Sequence, residues 1–477
     1  MRQERDFLGE VTLPDDYPFG IHTHRAASNF AFSDETIDPD LFFALIQVKK
    51  AAAIANAAAG LISPQIGDFL CRACDEIVPN ISAFIPPIHP LQGGAGTSTN
   101  MAANELIANI ALRLMGKTFG QYHFISPLDH VNLSQSTNDA YPTALKIAIL
   151  RGLKKLHANT EELLNVLQEK EKEFAHILKI GRTELQDAMP LSLGQEFSAW
   201  AEAISRFRWR LDKAIDWVRE VNISGTAIGT SINADRRYSR TVIEALREIV
   251  NEPLSLSRNL VDATQNLDPI VEVSGLIRTG AVSIKKIAFD LRLLSSGPQS
   301  GFGELILPPL QAGSSIMPGK VNPVMPEAAE QVCLMVIGGD SIIASAASQS
   351  NLELPQFLPL IAHVILHNIR ILTNLLPQFS STLSKIVPNL ERIRKHVDSS
   401  AAVATLLTPT LGYDVVADLV AEAYRTHQDV LNLIRSRNLI EPPLLERLLS
   451  PSVMASPGLP VLDDSPSPAS ETTPGGN

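Results

Sequence analysis

The chain has 477 residues, a formal net charge of −11 at pH 7 and only 5% aromatic residues. The acidic balance, the absence of a basic cluster and the few aromatic rings argue against a nucleic-acid partner. Its three cysteines are too few for a disulfide framework and fit a reducing compartment, while a norm of about 150 residues per domain predicts roughly three folding units.

The first forty residues show no clear period, and we expect an irregular entry there with a short strand. The start, MRQERDFLGE, is charged where a signal peptide needs an apolar stretch. No uncharged run of about 18 or more apolar residues follows in the chain. We therefore expect a cytoplasmic protein that makes no contact with a membrane.

Long helices are predicted for most of the remaining chain. Residues 41–59 are rich in Ala and Leu without Gly or Pro, and 104–114 are similar. Between Thr143 and Ile177, apolar residues recur at helical spacing, with charged residues on the other faces. Comparable stretches follow at 193–221, 268–294, 326–348 and 359–376. Five long helices in the middle of one chain predict a helical bundle.

The predicted fold is therefore mainly α, in three domains and a tail. A mixed, mostly helical domain spans 1–140, the central long-helix bundle 141–395, and a small helical domain 396–450. The remaining residues, 451–477, are rich in Pro, Ser and Gly and are predicted to be disordered. A lone Ala-rich bundle would expose apolar stripes, so we expect association with copies of the chain, the alternative being an extended monomeric bundle.

Four polar segments interrupt the helical pattern. They are QGGAGTSTN at 92–100, DHVNLSQSTND at 129–139, GRTELQDA at 181–188 and GSSIMPGKVNP at 313–323. The first can turn backbone N–H groups toward an anion, and the second offers neutral donors suited to a carboxylate. A helix entry, an N-cap and a capped turn would explain the first three equally well.

The fourth segment is the hardest to explain by packing. Its glycines and prolines predict a mobile loop that carries two serines, a lysine and an asparagine. A nucleotide P-loop is excluded, because five residues separate Gly313 from Gly319 and Val321 stands where a P-loop has Ser or Thr.

This fourth segment, GSSIMPGKVNP, resembles the signature loop of the aspartase/fumarase superfamily. The other three segments resemble that superfamily's active-site regions in the same chain order, and the similarity runs from Leu8 to about Leu449. LQDAMPLSLGQEF, DHVNLSQSTNDAYPT and NPVMPE look closer to the aspartases than to class II fumarases. The resemblance implies a three-domain fold whose bundle forms the core of a homotetramer, with active sites shared by three subunits and no cofactor or metal.

The resemblance also implies a carbon–nitrogen lyase acting on a small dicarboxylate or amino acid, with reversible deamination of L-aspartate to fumarate as the expected reaction. Ser314 would be the base, in a loop that closes over the substrate. Lys320 and Asn322 would hold the α-carboxylate with help from Thr183, and Asn138 would face the amine. The β-carboxylate would be received by Thr97, Ser136, Thr137 and Ser315, with Thr97 also near the amine.

Glu184 departs from the family pattern, in which His or Gln is common at this position near the leaving group. A carboxylate attracts an ammonium, which favours an amine over water as the leaving group. An ionised, unpaired Glu184 near two substrate carboxylates would weaken binding. Two readings stay open: Glu184 pairs with the ammonium of aspartate, or the substrate carries a larger or permanently charged amine, as in the ergothionase-like branch. A class II fumarase and a catalytically silent homologue related to the lens crystallins are further alternatives.

Two weaker patterns are not interpreted as metal sites. Cys71 and Cys74 form a C-x-x-C, but no second pair completes a zinc site. His363 and His367 have the spacing of a metal pair, yet HVILH lacks the glutamate of H-E-x-x-H. We expect two half-buried cysteines on a helix, and histidines that are packed or lie at an interface.

Overall fold

The computed structural model describes residues 1–454, which are mainly helical. In chain order the helices are α1 (Ile21–Asn29), α2 (Pro39–Ala58), α3 (Pro64–Ile77), α4 (Thr97–Leu114), α5 (Thr137–Glu173), α6 (Leu193–Trp217), α7 (Arg236–Val250), α8 (Leu260–Gln265), α9 (Asp268–Leu294), α10 (Val324–Ala347), α11 (Leu358–Leu383), α12 (Leu390–Ser399), α13 (Thr408–Leu411), α14 (Tyr413–Thr426), α15 (Val430–Ser436), α16 (Pro442–Leu448) and α17 (Pro451–Met454). The five predicted bundle helices correspond to α5, α6, α9, α10 and α11.

The strands are short and pair two by two. They are β1 (Arg2–Asp6) with β2 (Gly9–Leu13), β3 (Leu178–Thr183) with β4 (Gln186–Ser192), β5 (Glu220–Val221) with β6 (Ser255–Leu256), and β7 (Leu305–Ile306) with β8 (Val387–Pro388). The β5–β6 pair is parallel and the other three are antiparallel.

The chain divides into two compact units, each assembled from three stretches of sequence. The first unit comprises Met1–Leu164, Ala203–Phe289 and Val324–Ser381. The second comprises Asn165–Glu202, Asp290–Pro323 and the chain from Thr382 onward. The three-domain division predicted from the sequence stays a prediction.

In the first unit, α2 illustrates how sequence dictates the start and packing of a helix. The Asp38 side chain accepts a hydrogen bond from the Asp40 N–H, and Pro39 takes the first helical position, where its missing N–H has no consequence. Small alanine side chains let α3 and α7 pack closely against α2. The helix predicted at 41–59 is therefore confirmed, with its start two residues earlier.

Glycines allow the long helices of the first unit to approach one another. A Cβ atom at Gly280 of α9 would lie only 2.2 Å from the ring of Phe207 in α6. At Gly339 of α10, a Cβ atom would lie 2.3 Å from the amide of Asn368 in α11. Protein interiors tolerate no such overlap, so these glycines set the packing distance between the helices.

The second unit has a core that joins the C-terminal helices to one strand. Buried Val403, Leu407, Leu419 and Ile434 pack in one cluster with Ile180 of β3. Helix α12 also packs against β3, and a 3₁₀ segment, Ala401–Leu407, packs against β4. The strands therefore form part of the folded core of this unit.

Several features differ from the sequence-based expectation. The sequence pattern does not predict α1, α3 or α7, and α4 begins at Thr97, seven residues before the predicted start at Asn104. The single helical region predicted at 410–449 consists of four short helices, α13 to α16. Left-handed backbone at Gly412 and His427 ends continuous helix there. The tail predicted to be disordered, 451–477, lies outside the described residues except for α17.

Three helices, α2, α10 and α11, are long and apolar enough to cross a membrane when judged by length and composition alone. Each contains at least one charged side chain, so none of them is an uncharged apolar run of the kind considered in the sequence. In the apolar 18-residue stretch of each helix, the share that is buried within the chain is 67% in α2, 61% in α11 and only 33% in α10. Helix α10 therefore leaves most of its apolar surface exposed within the described chain.

Candidate active site

The residues implicated by the resemblance are distributed over both units. The first unit carries Thr97, Ser136, Thr137 and Asn138, and the second carries Thr183, Glu184, Ser314, Ser315, Lys320 and Asn322. Within the first unit, the start of α4 lies against α5, because a Cβ atom at Gly96 would lie 2.5 Å from the Tyr141 ring. The fold thereby brings Thr97 close to the residues that begin α5.

Loop 313–323 is closed at its neck by hydrogen bonds. The Gly313 N–H donates to the Lys320 carbonyl at 2.9 Å, and the Asn322 side-chain amide donates to the Gly313 carbonyl at 2.8 Å. A Cβ atom at Gly313 would lie 2.5 Å from the Lys320 carbonyl oxygen, so only glycine fits this neck. One amide proton of Asn322 is therefore engaged by the loop itself.

Two backbone N–H groups point at the hydroxyl oxygen of Ser314. The Ile316 N–H donates to the Ser314 Oγ at 3.2 Å and the Met317 N–H donates at 3.0 Å. Donors aimed at an oxygen stabilise its negatively charged form more than its neutral form. This geometry suits a serine that must lose its proton.

The rest of the loop has little packing of its own. The side chains of Ile316, Met317 and Val321 are exposed although they are apolar, with Ile316 at 83% exposure. Ser315 and Lys320 are exposed as well. Few buried apolar contacts make a segment easy to move, and exposed apolar groups are suited to closing against another surface.

Thr183 and Glu184 lie at a β-hairpin between α5 and α6, so the predicted break between two long helices consists of two strands and a turn. Thr183 pairs with Gln186, which leaves Glu184 and Leu185 as a two-residue turn with φ of 53° and 62°. This is the type I′ geometry that normally selects Asn-Gly, and left-handed backbone costs about 1–2 kcal/mol at each residue with a side chain. The sequence pattern does not reveal the hairpin because its turn lacks these residues.

Glu184 projects from the tip of this hairpin and is exposed. Among the residues that the structure describes, it forms neither a hydrogen bond nor an ion pair. Its neighbour Arg182 is directed to a different partner, the carboxylate of Glu304. The Glu184 carboxylate is thus available to a ligand.

The hairpin is anchored by a buried carboxylate that the sequence pattern does not reveal. Glu304 is fully buried, and its carboxylate lies 2.6 Å from Arg182, 2.8 Å from His396 and 3.2 Å from Lys179. Burial alone would raise the pKa of Glu304, but the hydrogen bond from Arg182 and the charge of Lys179 outweigh it, so the pKa is lowered. The ionised Glu304 fixes the strand that leads to Thr183.

Ser136 begins α5 as an N-cap. Its hydroxyl oxygen accepts a hydrogen bond from the Asn138 N–H at 3.2 Å, and the Asp139 carboxylate accepts one from the Ser136 N–H at 2.9 Å. This reciprocal arrangement is a capping box. The Asn138 amide donates to the Ala227 carbonyl at 2.7 Å, and Thr137 is buried. The segment therefore forms the N-cap that was considered from the sequence as an alternative to substrate binding.

The segment 92–100 is a loop that leads into α4, as predicted from the sequence, and the helix begins within the segment at Thr97. Left-handed backbone at Gly94, Ala95 and Gly96 turns the chain into α4. The Thr97 hydroxyl donates to the Gly94 carbonyl at 2.7 Å, and the side chain is exposed at the first residue of the helix. Thr97 therefore faces outward at a helix N-terminus, where an anion is favoured.

Two ionisable groups behind these segments are buried. Burial lowers the pKa of Lys49 to about 7 and raises the pKa of Asp139 to about 7. Asp139 also accepts a hydrogen bond from the Thr226 N–H at 2.9 Å. Both residues support the start of α5 from inside the unit. Asp139 is the last residue of the polar segment 129–139, whereas the sequence pattern does not single out Lys49.

The comparisons with known proteins agree with the resemblance of the four segments. The family described as lyases matches residues 9–338. Aspartate ammonia-lyase of a Bacillus species is 43% identical over 462 residues, which cover 96% of this chain and 98% of the relative. Aspartate ammonia-lyase of Bacillus subtilis (strain 168) is 42% identical over 461 residues, which cover 96% of this chain and 97% of the relative. The chain belongs to the aspartase/fumarase superfamily of lyases.

Solved structures in this superfamily have the same fold. A fumarate lyase:delta crystallin from Brucella melitensis, bound to cobalt, is 43% identical with a TM-score of 0.92, covering 96% of this chain and 100% of that one. The class II fumarase from Schistosoma mansoni is 31% identical with a TM-score of 0.90, covering 96% and 99%. The predicted superfamily and the predicted mainly helical fold are confirmed.

Within residues 1–454, no group of three or more His, Cys, Asp or Glu side chains is placed to hold a metal ion. Cys71, Cys74 and Cys333 are free thiols, and burial raises the pKa of Cys71 to about 11. The rings of His363 and His367 lie 6.4 Å apart, and burial lowers the pKa of His367. That this superfamily member works without a metal or cofactor stays a prediction.

Proposed function

We propose that the protein is an L-aspartate ammonia-lyase that converts L-aspartate to fumarate and ammonia by elimination. The observation that carries this proposal is the pair of N–H groups of Ile316 and Met317 aimed at the Ser314 hydroxyl oxygen. The relatives named aspartate ammonia-lyase, at 42–43% identity over nearly the whole chain, support the same reaction.

Ser314 is the base in this proposal. Its deprotonated oxygen, held by the two loop N–H groups, takes a proton from Cβ of the substrate. The electron pair moves into the β-carboxylate, which becomes doubly charged, and then forms the carbon–carbon double bond as the Cα–N bond breaks. Neutral donors fixed around the growing charge stabilise this transition state most. Those donors are Thr97, Ser136, Thr137 and Ser315.

The α-carboxylate binds to the cationic Lys320, with Asn322 and Thr183 assisting. One amide proton of Asn322 is held by the Gly313 carbonyl. If a substrate carboxylate takes that proton, the neck of the loop must rearrange. Substrate binding and loop movement are therefore linked through Asn322.

Glu184 and Asn138 bind the amino group of the substrate. The Glu184 carboxylate is exposed and makes no ion pair among the described residues, so it can attract an ammonium from the tip of the hairpin. The same free carboxylate supports a second candidate substrate, a substituted amino acid or betaine with a larger or permanently charged amine. A carboxylate offers no comparable gain to the hydroxyl of malate.

The proposed assembly is a homotetramer in the cytoplasm, with each active site shared by three subunits. Helix α10 exposes Leu334, Met335 and Ile342, and about two thirds of its apolar 18-residue stretch is not buried by the rest of the chain. This face is buried against other copies of the chain in the proposed tetramer. A protein without membrane contact can therefore have helices that are apolar enough to cross a membrane. No nucleic acid, metal or cofactor is required.

The proposed base is tested by replacing Ser314 with alanine. Loss of a catalytic base typically lowers kcat by about 10²- to 10⁴-fold, and that range is expected for fumarate formation by Ser314→Ala, with tetramer and circular dichroism unchanged. Ser315→Ala is the comparison variant, since the neighbouring hydroxyl stabilises the growing charge without taking the proton, and its loss is expected to lower kcat by less than the loss of Ser314. A Ser314→Ala enzyme with the kcat of the unmodified protein would exclude Ser314 as the base.

A further inference from the structure

We propose that Lys49, a buried residue of α2, is a positioning residue that sets the geometry of the two substrate-binding helix starts in the first unit. The inference rests on the proposed function, because it concerns the segments that begin α4 and α5. Lys49 is 1% exposed, so its side chain lies behind these segments and does not touch a substrate at the surface.

The contacts of Lys49 converge on one amide oxygen. The Lys49 ammonium donates to the Oδ1 atom of Asn132 at 3.0 Å. The side-chain amides of Asn100 and Asn104, both in α4, donate to the same oxygen at 3.1 Å each. A single oxygen thus ties α2, the start of α4 and the segment before α5.

Lys49 also dictates which way each amide faces. A lysine ammonium can only donate, so it requires the oxygen of Asn132 and not its nitrogen. The Asn132 nitrogen then donates to the Gln135 carbonyl at 3.3 Å, one residue before Ser136. The nitrogens of Asn100 and Asn104 must in turn face the Asn132 oxygen, which leaves their own Oδ1 atoms without a hydrogen-bond partner.

These unpartnered oxygens argue for a functional requirement. A buried acceptor without a donor destabilises a fold, and a buried cation does so too, so packing alone would favour apolar side chains here. The arrangement instead fixes amides three residues after Thr97, at Asn100, and four residues before Ser136, at Asn132, and the proposed reaction needs Thr97 and Ser136 at a set distance. Side chains held within about 0.5 Å of a productive position are what such a reaction requires.

A second residue of α2 holds the same segment. Asn56 is fully buried, and its amide donates to the Leu133 carbonyl at 2.9 Å while its oxygen accepts from the Ser134 hydroxyl at 2.8 Å. Asn56 follows Lys49 by seven residues, about two helical turns, so both lie on one face of α2. That face is a platform for the segment leading into α5.

The hydrogen bond from Lys49 to Asn132 does not require a charged amine. Burial lowers its pKa to about 7, the raised pKa of buried Asp139 lies at the same value, and the charges of the two groups influence each other. A neutral amine retains N–H groups, so it still donates to Asn132. This hydrogen bond is therefore available on both sides of pH 7, whereas only the ammonium form excludes the reversed orientation of the Asn132 amide.

Lys49→Met tests the proposal against a neighbour on the same helix. Lys50→Met is the matched control, since Lys50 pairs with Asp75 at the surface. In Lys49→Met, the KM for L-aspartate and the dissociation constant of succinate, a dicarboxylate that cannot eliminate, are each expected to rise at least about tenfold, because small misplacements of binding groups have effects of this size. Lys50→Met is expected to stay within about twofold of the unmodified enzyme, as surface substitutions do.

Lys49→Gln and Asn132→Asp complete the test. The glutamine amide of Lys49→Gln would restore a neutral donor, and this variant is expected to recover part of the affinity for succinate. Asn132→Asp keeps an acceptor for Lys49 but loses the donor to Gln135, so it is expected to weaken succinate binding even if Lys49→Met does not fold. Unchanged KM and succinate binding in Lys49→Met, or in Asn132→Asp if the former is insoluble, would overturn the positioning role. An unmodified enzyme that neither converts aspartate nor binds succinate would instead overturn the proposed function, and this inference with it.

Discussion

Glu184 is the residue proposed to select the leaving group of the substrate. The residue stands at the tip of a strained two-residue turn, exposed and without an ion pair among the described residues. Its side chain is therefore available to a substrate ammonium, and the anchored strand behind it, with Arg182 on Glu304, keeps the tip in place. Selection of an amine over a hydroxyl is the consequence expected from a free carboxylate.

The expected effect of Glu184→Gln is a loss of amine selectivity. A hydrogen bond to a charged group contributes about 1.5–3 kcal/mol, which corresponds to roughly ten- to hundred-fold in the ratio of kcat/KM for L-aspartate over L-malate. Parallel assays of both substrates measure this ratio. Glu391→Gln, a change at α12, is the control, and an unaltered ratio in Glu184→Gln would remove Glu184 from substrate recognition.

The candidate site could be proposed from the sequence because its residues lie in four short polar segments that resemble the active-site regions of the family. Ser314, Ser315, Lys320 and Asn322 lie in one loop whose composition is unlike a helix or a strand, and so they could be found. Lys49 acts through contacts across more than eighty residues of sequence, which no spacing pattern encodes. The same holds for buried Glu304 and its partners.

Helices were predictable to the extent that their apolar periodicity was uninterrupted. Helix α9 runs from Asp268 to Leu294, as expected from the sequence. Helix α4 begins earlier than predicted because its first residues are polar, and their side chains bond to groups inside the fold, such as Thr99 to Gln92. The β3–β4 hairpin was missed because tertiary anchoring replaces the usual turn residues.

Two glycines of α9 offer a test of how the bundle packs. Gly280→Ala is expected to lower the free energy of unfolding by about 1–3 kcal/mol, because its Cβ atom would overlap the Phe207 ring. Gly275→Ala meets nothing within 4 Å and is expected to raise it by up to about 1 kcal/mol, since alanine favours helix. Urea unfolding of the two variants measures the difference. Equal stability of both would mean that α6 and α9 do not pack at Gly280.

The whole molecule carries an apolar face that one chain leaves uncovered. On α10, Leu334 and Met335 are more than half exposed, and only 33% of the helix's apolar 18-residue stretch is buried. Interfaces between permanently associated subunits are apolar in this way. The proposed tetramer accounts for both this face and a site that draws on several subunits.

Met335→Glu is expected to dissociate the assembly and abolish activity, because a charge on this face would be buried without a partner. Analytical ultracentrifugation gives the mass, and fumarate formation gives the activity. Phe7→Ser, at the 92% exposed tip of the β1–β2 turn, serves as the control and is expected to change neither. A fully active Met335→Glu tetramer would place the subunit interface elsewhere.

The most direct test of the proposed reaction is fumarate release, followed by ultraviolet absorbance, from L-aspartate and in parallel from L-malate at mildly alkaline pH. Turnover of L-aspartate with one ammonia per fumarate, at a rate far above that of fumarate formation from L-malate, is the predicted result. Fumarate from L-malate alone would identify a fumarase. Silence with both substrates would contradict the assignment and direct the search to a substituted amino acid or betaine bound by Glu184.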